Sequence, residues 1–206
     1  VQVRPDDADA SARRAAVVEL RHAGIRLAGT AMGVLRGTVG FLTFLLAFGL
    51  RRAGAPAWVF GLLLAASVAG TLVGAAAAPR LRRVVSEEHL LAGSLGLVVL
   101  GALASAQLGG RLAALSAAAT VGLAASAGKL AFDSLVQRDA PDAAQGRWFA
   151  RFEAVFQLAW VVGALLPVAL KVPVRGGLVV LALVAGGSLV VYLTGLRAAT
   201  AGTARR

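Results

Sequence analysis

Six long apolar segments, separated by short polar stretches, divide this chain. They run Thr30–Leu50, Trp58–Ala78, Leu90–Leu108, Leu112–Phe132, Trp148–Leu170 and Gly176–Leu196, each 19–23 residues long. A helix rises 1.5 Å per residue, so about 20 residues cross ~30 Å of hydrocarbon. Barrel strands would be about half that length and would alternate apolar with polar positions. These segments do not alternate. The pattern predicts an all-α integral membrane protein built as a bundle of six transmembrane helices. The second, third and sixth segments carry no charge. The first holds Arg36, the fourth ends near Lys129, and the fifth begins with Arg151 and Glu153.

The flanks differ in character. Val1–Ala10, with Asp6, Asp7 and Asp9 around Pro5, predicts a disordered lead-in. Ser11–Arg26 mixes Val17, Val18, Leu20 and Ile25 with several arginines, as a basic interfacial helix would. The expected organisation is a cytoplasmic lead-in over 1–28, a six-helix transmembrane domain over 29–197, and a tail over 198–206. No signal-peptide pattern precedes the first segment. Between the fourth and fifth segments lies a polar elbow, where Ala140-Pro141-Asp142 predicts a helix break.

Composition agrees with the pattern. Apolar residues make up 58% of the chain and charged ones 15%, against about 25% charged in a soluble domain. The net charge of +11 is gathered in short clusters between apolar runs, with few aromatics. It therefore points to topology signals and anionic lipid rather than to nucleic acid. With no cysteine, disulfides and thiolate chemistry are excluded. The abundance of Ala, Gly, Val, Leu and Arg suggests a GC-rich bacterial genome.

The charges also orient the chain. The N-terminal arm, the 79–89 loop, the 129–151 elbow and the tail hold fifteen basic residues, against five in the three alternate connections. By the positive-inside rule both termini are cytoplasmic. Gly33-x-x-x-Gly37 and Gly70-x-x-x-Gly74 predict close helix packing. Ala113–Gly128 is almost entirely small, so the fourth helix should be crowded by neighbours or line a cavity.

Two stretches carry a family resemblance. One is Phe132-Asp133-Ser134-Leu135-Val136-Gln137-Arg138-Asp139-Ala140-Pro141 with the following Gly146-Arg147-x-Phe149-Ala150-Arg151-Phe152-Glu153. The other is Gly74–Arg83, GAAAAPRLRR. With six helices, cytoplasmic termini and the longer elbow after the fourth, they resemble the C-terminal half of a major facilitator superfamily (MFS) transporter of the high-GC bacterial type. The second stretch is similar to the family's cytoplasmic basic motif, but Ala78, Pro79 and Leu81 replace its acid, arginine and glycine. Only Arg82-Arg83 is kept. The resemblance spans roughly residues 28–197. It implies a secondary transporter in the bacterial cytoplasmic (inner) membrane, exporting a small organic molecule with proton coupling. In such proteins the cargo path lies between two six-helix halves. The implied partners are the lipid bilayer, the cargo, and either an N-terminal six-helix half encoded upstream or a second copy of this chain. The alternative is a non-transporting membrane protein that acts as a scaffold or dimer.

Candidate site residues follow. Arg36 lies several residues inside the first span, where a charge is costly unless it faces the bundle or a wet cavity. Glu153 lies at similar depth on the fifth span and is its natural partner. Protonation of that carboxylate would release the pair and couple protons to movement, whereas a static bridge would only tie helices together. Gln157 joins them as a cargo- or proton-coupling candidate. Lys129 and Asp133, four apart on a helix, share a face. The resemblance implies a cytoplasmic gate from Asp133 and Arg138, with Lys129, Arg82 and Arg83 nearby. Gln107, Gln137, Ser126 and Thr120 offer neutral hydrogen bonds. Trp58 and Trp148 sit at span ends as interface anchors, and Trp160 is deeper, as packing. His22 and His89 are isolated. No nucleophile–base set, paired-carboxylate site or phosphate loop is evident, so neither an enzyme nor a cofactor is expected.

Overall fold

The computed structural model describes residues 5–139 and 145–204, with side chains described over 23–139 and 146–199. Every regular element in them is an α-helix: α1 Pro5–Arg52, α2 Ala57–Leu81, α3 Glu87–Leu108, α4 Gly110–Asp139, α5 Gln145–Leu170 and α6 Val174–Ala204. Each contains one of the six apolar segments. All six are long and apolar enough to cross a membrane, the organisation of a multi-pass membrane protein.

The helices extend past the apolar segments at their polar ends. Hydropathy marks where hydrocarbon contact stops, whereas backbone hydrogen bonding continues until a residue ends it. α1 reaches back to Pro5, so residues 5–10 are helical where disorder was expected, and the basic stretch joins the first span without a break. Proline suits a first helical position, where its missing N–H has no partner to lose. α2 passes Pro79 and ends when the Arg82 N–H bonds the Ala78 carbonyl at 3.0 Å. α3 starts at a Ser86 cap, whose side chain accepts from the His89 N–H, with Glu87 and Glu88 in the favourable first turn. The turn into α4 uses Gly109 and Gly110, both at positive φ. The break expected at Ala140–Asp142 lies outside the described residues.

α1 and α4 lie side by side at the centre. α2 packs along α4, and α5 along α1. α3 packs on α4, α6 on α1, and α3 and α6 on each other. One layer is thus the row α2–α4–α1–α5, and the other is α3 with α6. Burial agrees: 56% of the most apolar window is buried in α1 and in α4, but only 17% in α2 and 22% in α5. Exchanging the first three helices with the last three maps these neighbours onto one another. α2 on α4 becomes α5 on α1, and α3 on α4 becomes α6 on α1. Three crossings separate equivalent helices, so each runs opposite to its counterpart across a membrane.

Small residues explain how close the row is. A side-chain carbon on Gly40 would strike the Trp160 carbonyl of α5, and one on Gly163 would strike the Gly37 carbonyl of α1. The equivalent crossing has Gly70 and Gly74 of α2 against the Ala119 and Leu123 carbonyls, and Gly122 of α4 against the Ser67 carbonyl. α4 is crowded by its neighbours, burying Ala113, Ala117, Ala124 and Ala131 among others. Gly33 differs from its motif partner, because no atom lies within 4 Å of its would-be side chain.

Candidate functional site

Five polar side chains meet where α1, α4 and α5 adjoin. Arg36 Nη2 lies 3.7 Å from Glu153 Oε1, and Lys129 Nζ lies 3.7 Å from Glu153 Oε2. Lys129 also holds Asp133 at 2.6 Å, one turn along α4. Gln157 Nε2 donates to Glu153 Oε1 at 3.3 Å, one turn along α5. Glu153 therefore ties three helices together. The two pairs expected from sequence, Arg36 with Glu153 and Lys129 with Asp133, both form and fuse into one cluster. Lys129 and Asp133, which the resemblance places at a gate, lie beside the coupling candidates.

Helix periodicity fixes the side on which the cluster opens. Nine residues make two and a half turns, so positions nine apart face opposite ways. Arg36 is nine from Leu27 and Leu45, which meet Gly195 and Gly177 of α6. Lys129 is nine from Thr120, which meets Gly101 of α3. The cluster thus faces away from the α3–α6 layer, on the open face of the row. Its charged side chains are neither sealed nor free: Arg36 is 30% exposed and Glu153 45%. Arg36 Nε is enclosed and has no hydrogen-bond partner among the described residues. Beside the cluster, Phe132 of α4 meets Phe152 and Phe156 of α5 edge to face, each at 5.1 Å. These rings join α4 to α5 with little other contact between those helices.

A second ionic group lies at the ends of α3 and α4. Arg138 reaches Glu88 at 2.6 Å, Asp139 at 2.9 Å and Glu87 at 3.1 Å. Arg82, at the end of α2, approaches Glu87 at 3.9 Å. Arg138 and Arg82 thus meet at Glu87, which sequence reasoning missed along with Glu88. The available signal was the acidic pair directly after the Ser86 cap. Among the described residues Asp133 does not pair with Arg138, and Arg83 makes no ion pair. With glutamine at Arg138, three neighbouring carboxylates lose their shared cation. We expect a stability loss of about 1–2 kcal/mol, because these contacts are partly exposed. Thermal unfolding of purified protein checks it, and the gap from wild type should narrow in high salt, where carboxylate repulsion is screened.

The remaining candidates resolve simply. Trp58 carries the Arg111 guanidinium over its ring at 5.3 Å, an arrangement suited to a span end. Trp148 stacks on Phe152 at 5.7 Å. Trp160 packs edge-on against Phe44. The His89 ring bonds Ser86 Oγ at 2.8 Å and completes the α3 cap. The His22 side chain lies outside the described residues. No group of three His, Cys, Asp or Glu side chains suited to a metal occurs among the described residues. Comparison with protein-family models, curated proteins and solved structures finds no match to this chain.

Proposed function

We propose that this chain is one six-helix half of an MFS-type secondary transporter of a bacterial cytoplasmic membrane, exporting a small organic molecule in exchange for protons, with both termini cytoplasmic. The observation that carries this reading is the cluster of Arg36, Lys129, Asp133, Glu153 and Gln157. It sets two cations against two carboxylates within apolar helices, so it is neutral only while both acids are ionised. One proton on Glu153 leaves a net positive charge there and weakens the ties to both α1 and α4. Proton occupancy would then be read as a change in helix packing. The exchange of neighbours between helix triplets also supports the reading, because inverted three-helix repeats build each half of such transporters. A second half would cover the row face on which the cluster opens.

A flux assay tests the proposal. Everted membrane vesicles containing the full-length product are energised to an acid interior and offered a panel of small organic cations, anions and neutral amphiphiles. A pH dye inside should report cargo-dependent loss of the gradient. If no cargo has any effect in vesicles that hold their gradient, transport is excluded and a scaffold role takes its place.

A further inference from the structure

A groove of about 850 Å³ runs along α1 between α5 and α6. It is separate from the charged cluster. Gly29, Phe152 and Gly163 belong to the α1–α5 contact that divides them, and Glu153 and Gln157 lie beyond it. Gly33, Gly37 and Phe41 form its floor on α1, with walls from Val162 and Leu166 of α5 and Val184 of α6. Its lining is almost wholly apolar, except at one end. There stand Arg26 of α1 and Arg151 of α5, three turns or more from Gly37 and Val162. The two helices run side by side in the same direction, with Gly29 at Phe152 and Gly40 at Trp160, so both arginines lie at the same end. Neither has an acidic partner among the described residues, unlike Arg36, Arg82 and Arg138.

We infer that this groove binds one anionic phospholipid, its phosphate between Arg26 and Arg151 and an acyl chain along the glycine floor. The dimensions fit. Arg26 to Phe41 and Arg151 to Leu166 each span 15 residues, ~22 Å of helix, against ~15 Å for half of a ~30 Å hydrocarbon core plus the headgroup layer. The charge fits too. Guanidinium groups bind phosphate oxygens with directed hydrogen bonds, and unpaired cations at a span end attract anionic lipid. Glycine at position 33 leaves the floor open without supporting any helix contact, as a bound chain requires. The inference depends on membrane insertion and not on transport.

Native mass spectrometry of the full-length product tests it. The protein is exchanged into micelles containing phosphatidylglycerol or phosphatidylcholine. Wild type should keep one phosphatidylglycerol and release phosphatidylcholine. The Arg26→Gln/Arg151→Gln double variant should lower retention at least ~10-fold. Gly33→Leu, whose β carbon meets no neighbouring atom and whose longer side chain occupies the floor, should do the same while leaving the arginines in place. Arg83→Gln, an exposed cation elsewhere, should retain lipid as wild type does. Equal retention of the two lipids, or equal loss in Arg83→Gln, would show only diffuse attraction and overturn the proposal. So would undiminished retention in the double variant, which keeps the test decisive if Gly33→Leu does not fold.

Discussion

With glutamine at position 153, cargo-coupled proton movement by the full-length product falls to background while the protein is still made and inserted. Glutamine keeps the length and shape of Glu153 but cannot exchange a proton. It also fixes the cluster in the charge state that protonation would create, with Arg36 and Lys129 facing Asp133 alone. Both ties to Glu153 are 3.7 Å long and partly exposed, so each contributes about 0–1 kcal/mol to stability. Losing them does not unfold a six-helix bundle. Asp133→Asn provides the contrast. Asp133 pairs with Lys129 on its own helix, so its neutralisation does not release α5 from α1, and a smaller flux defect is expected. The measurement is vesicle flux normalised to protein in the membrane. Wild-type flux in Glu153→Gln would reduce the cluster to a static bridge.

Valine at Gly40 should have a large structural effect on the α1–α5 pair. The added carbon would overlap the Trp160 carbonyl and crowd the Ala164 amide, both backbone atoms that no side-chain rotation can move aside. α5 would have to back away along its whole crossing with α1, opening gaps on both sides. Overpacking of this kind costs about 3 kcal/mol, and more where backbone must shift. Glu153 rides on α5, so its distance to Arg36 would grow as well. At Gly33, two turns earlier on α1, an added β carbon meets no atom within 4 Å, so valine there should cost far less stability than valine at Gly40. Heating detergent-solubilised variants and following the monodisperse fraction by size exclusion compares the two directly. Equal midpoints would mean that the α1–α5 approach is looser than the backbone contact implies.

The number and order of the helices were legible in the sequence because membrane spans need long uncharged runs, and few other structures do. The pairing of Arg36 with Glu153 was legible for a related reason. Two opposite charges at similar depth have few other partners in an apolar bundle. The participation of Lys129 in the same cluster was not. It depends on the rotation of α4, which is set by close approaches such as Gly128 to Leu35 and Gly122 to Ser67. Glu87 and Glu88 were missed as partners of Arg138 because they lie about fifty positions away in sequence, joined only by the packing of α3 on α4. The groove was hidden for a different reason. Gly33 and Gly37 present the same small-residue spacing and both line the groove, yet only at Gly37 would an added carbon touch the neighbouring helix. Composition does not distinguish those roles.

The two glycine crossings have a mechanical consequence. At Gly40 and Gly163 of the α1–α5 crossing, and at Gly70, Gly74 and Gly122 of the α2–α4 crossing, backbone meets backbone with no side chain between. Interlocked leucines must climb out of their sockets before one rod can glide past another. Smooth surfaces need not. At those crossings α2 and α5 rest on the central pair through backbone, so a short shift of either along its partner would meet few interlocked side chains there. The ionic tie at Glu153 would then serve as the catch that holds one of those crossings in place.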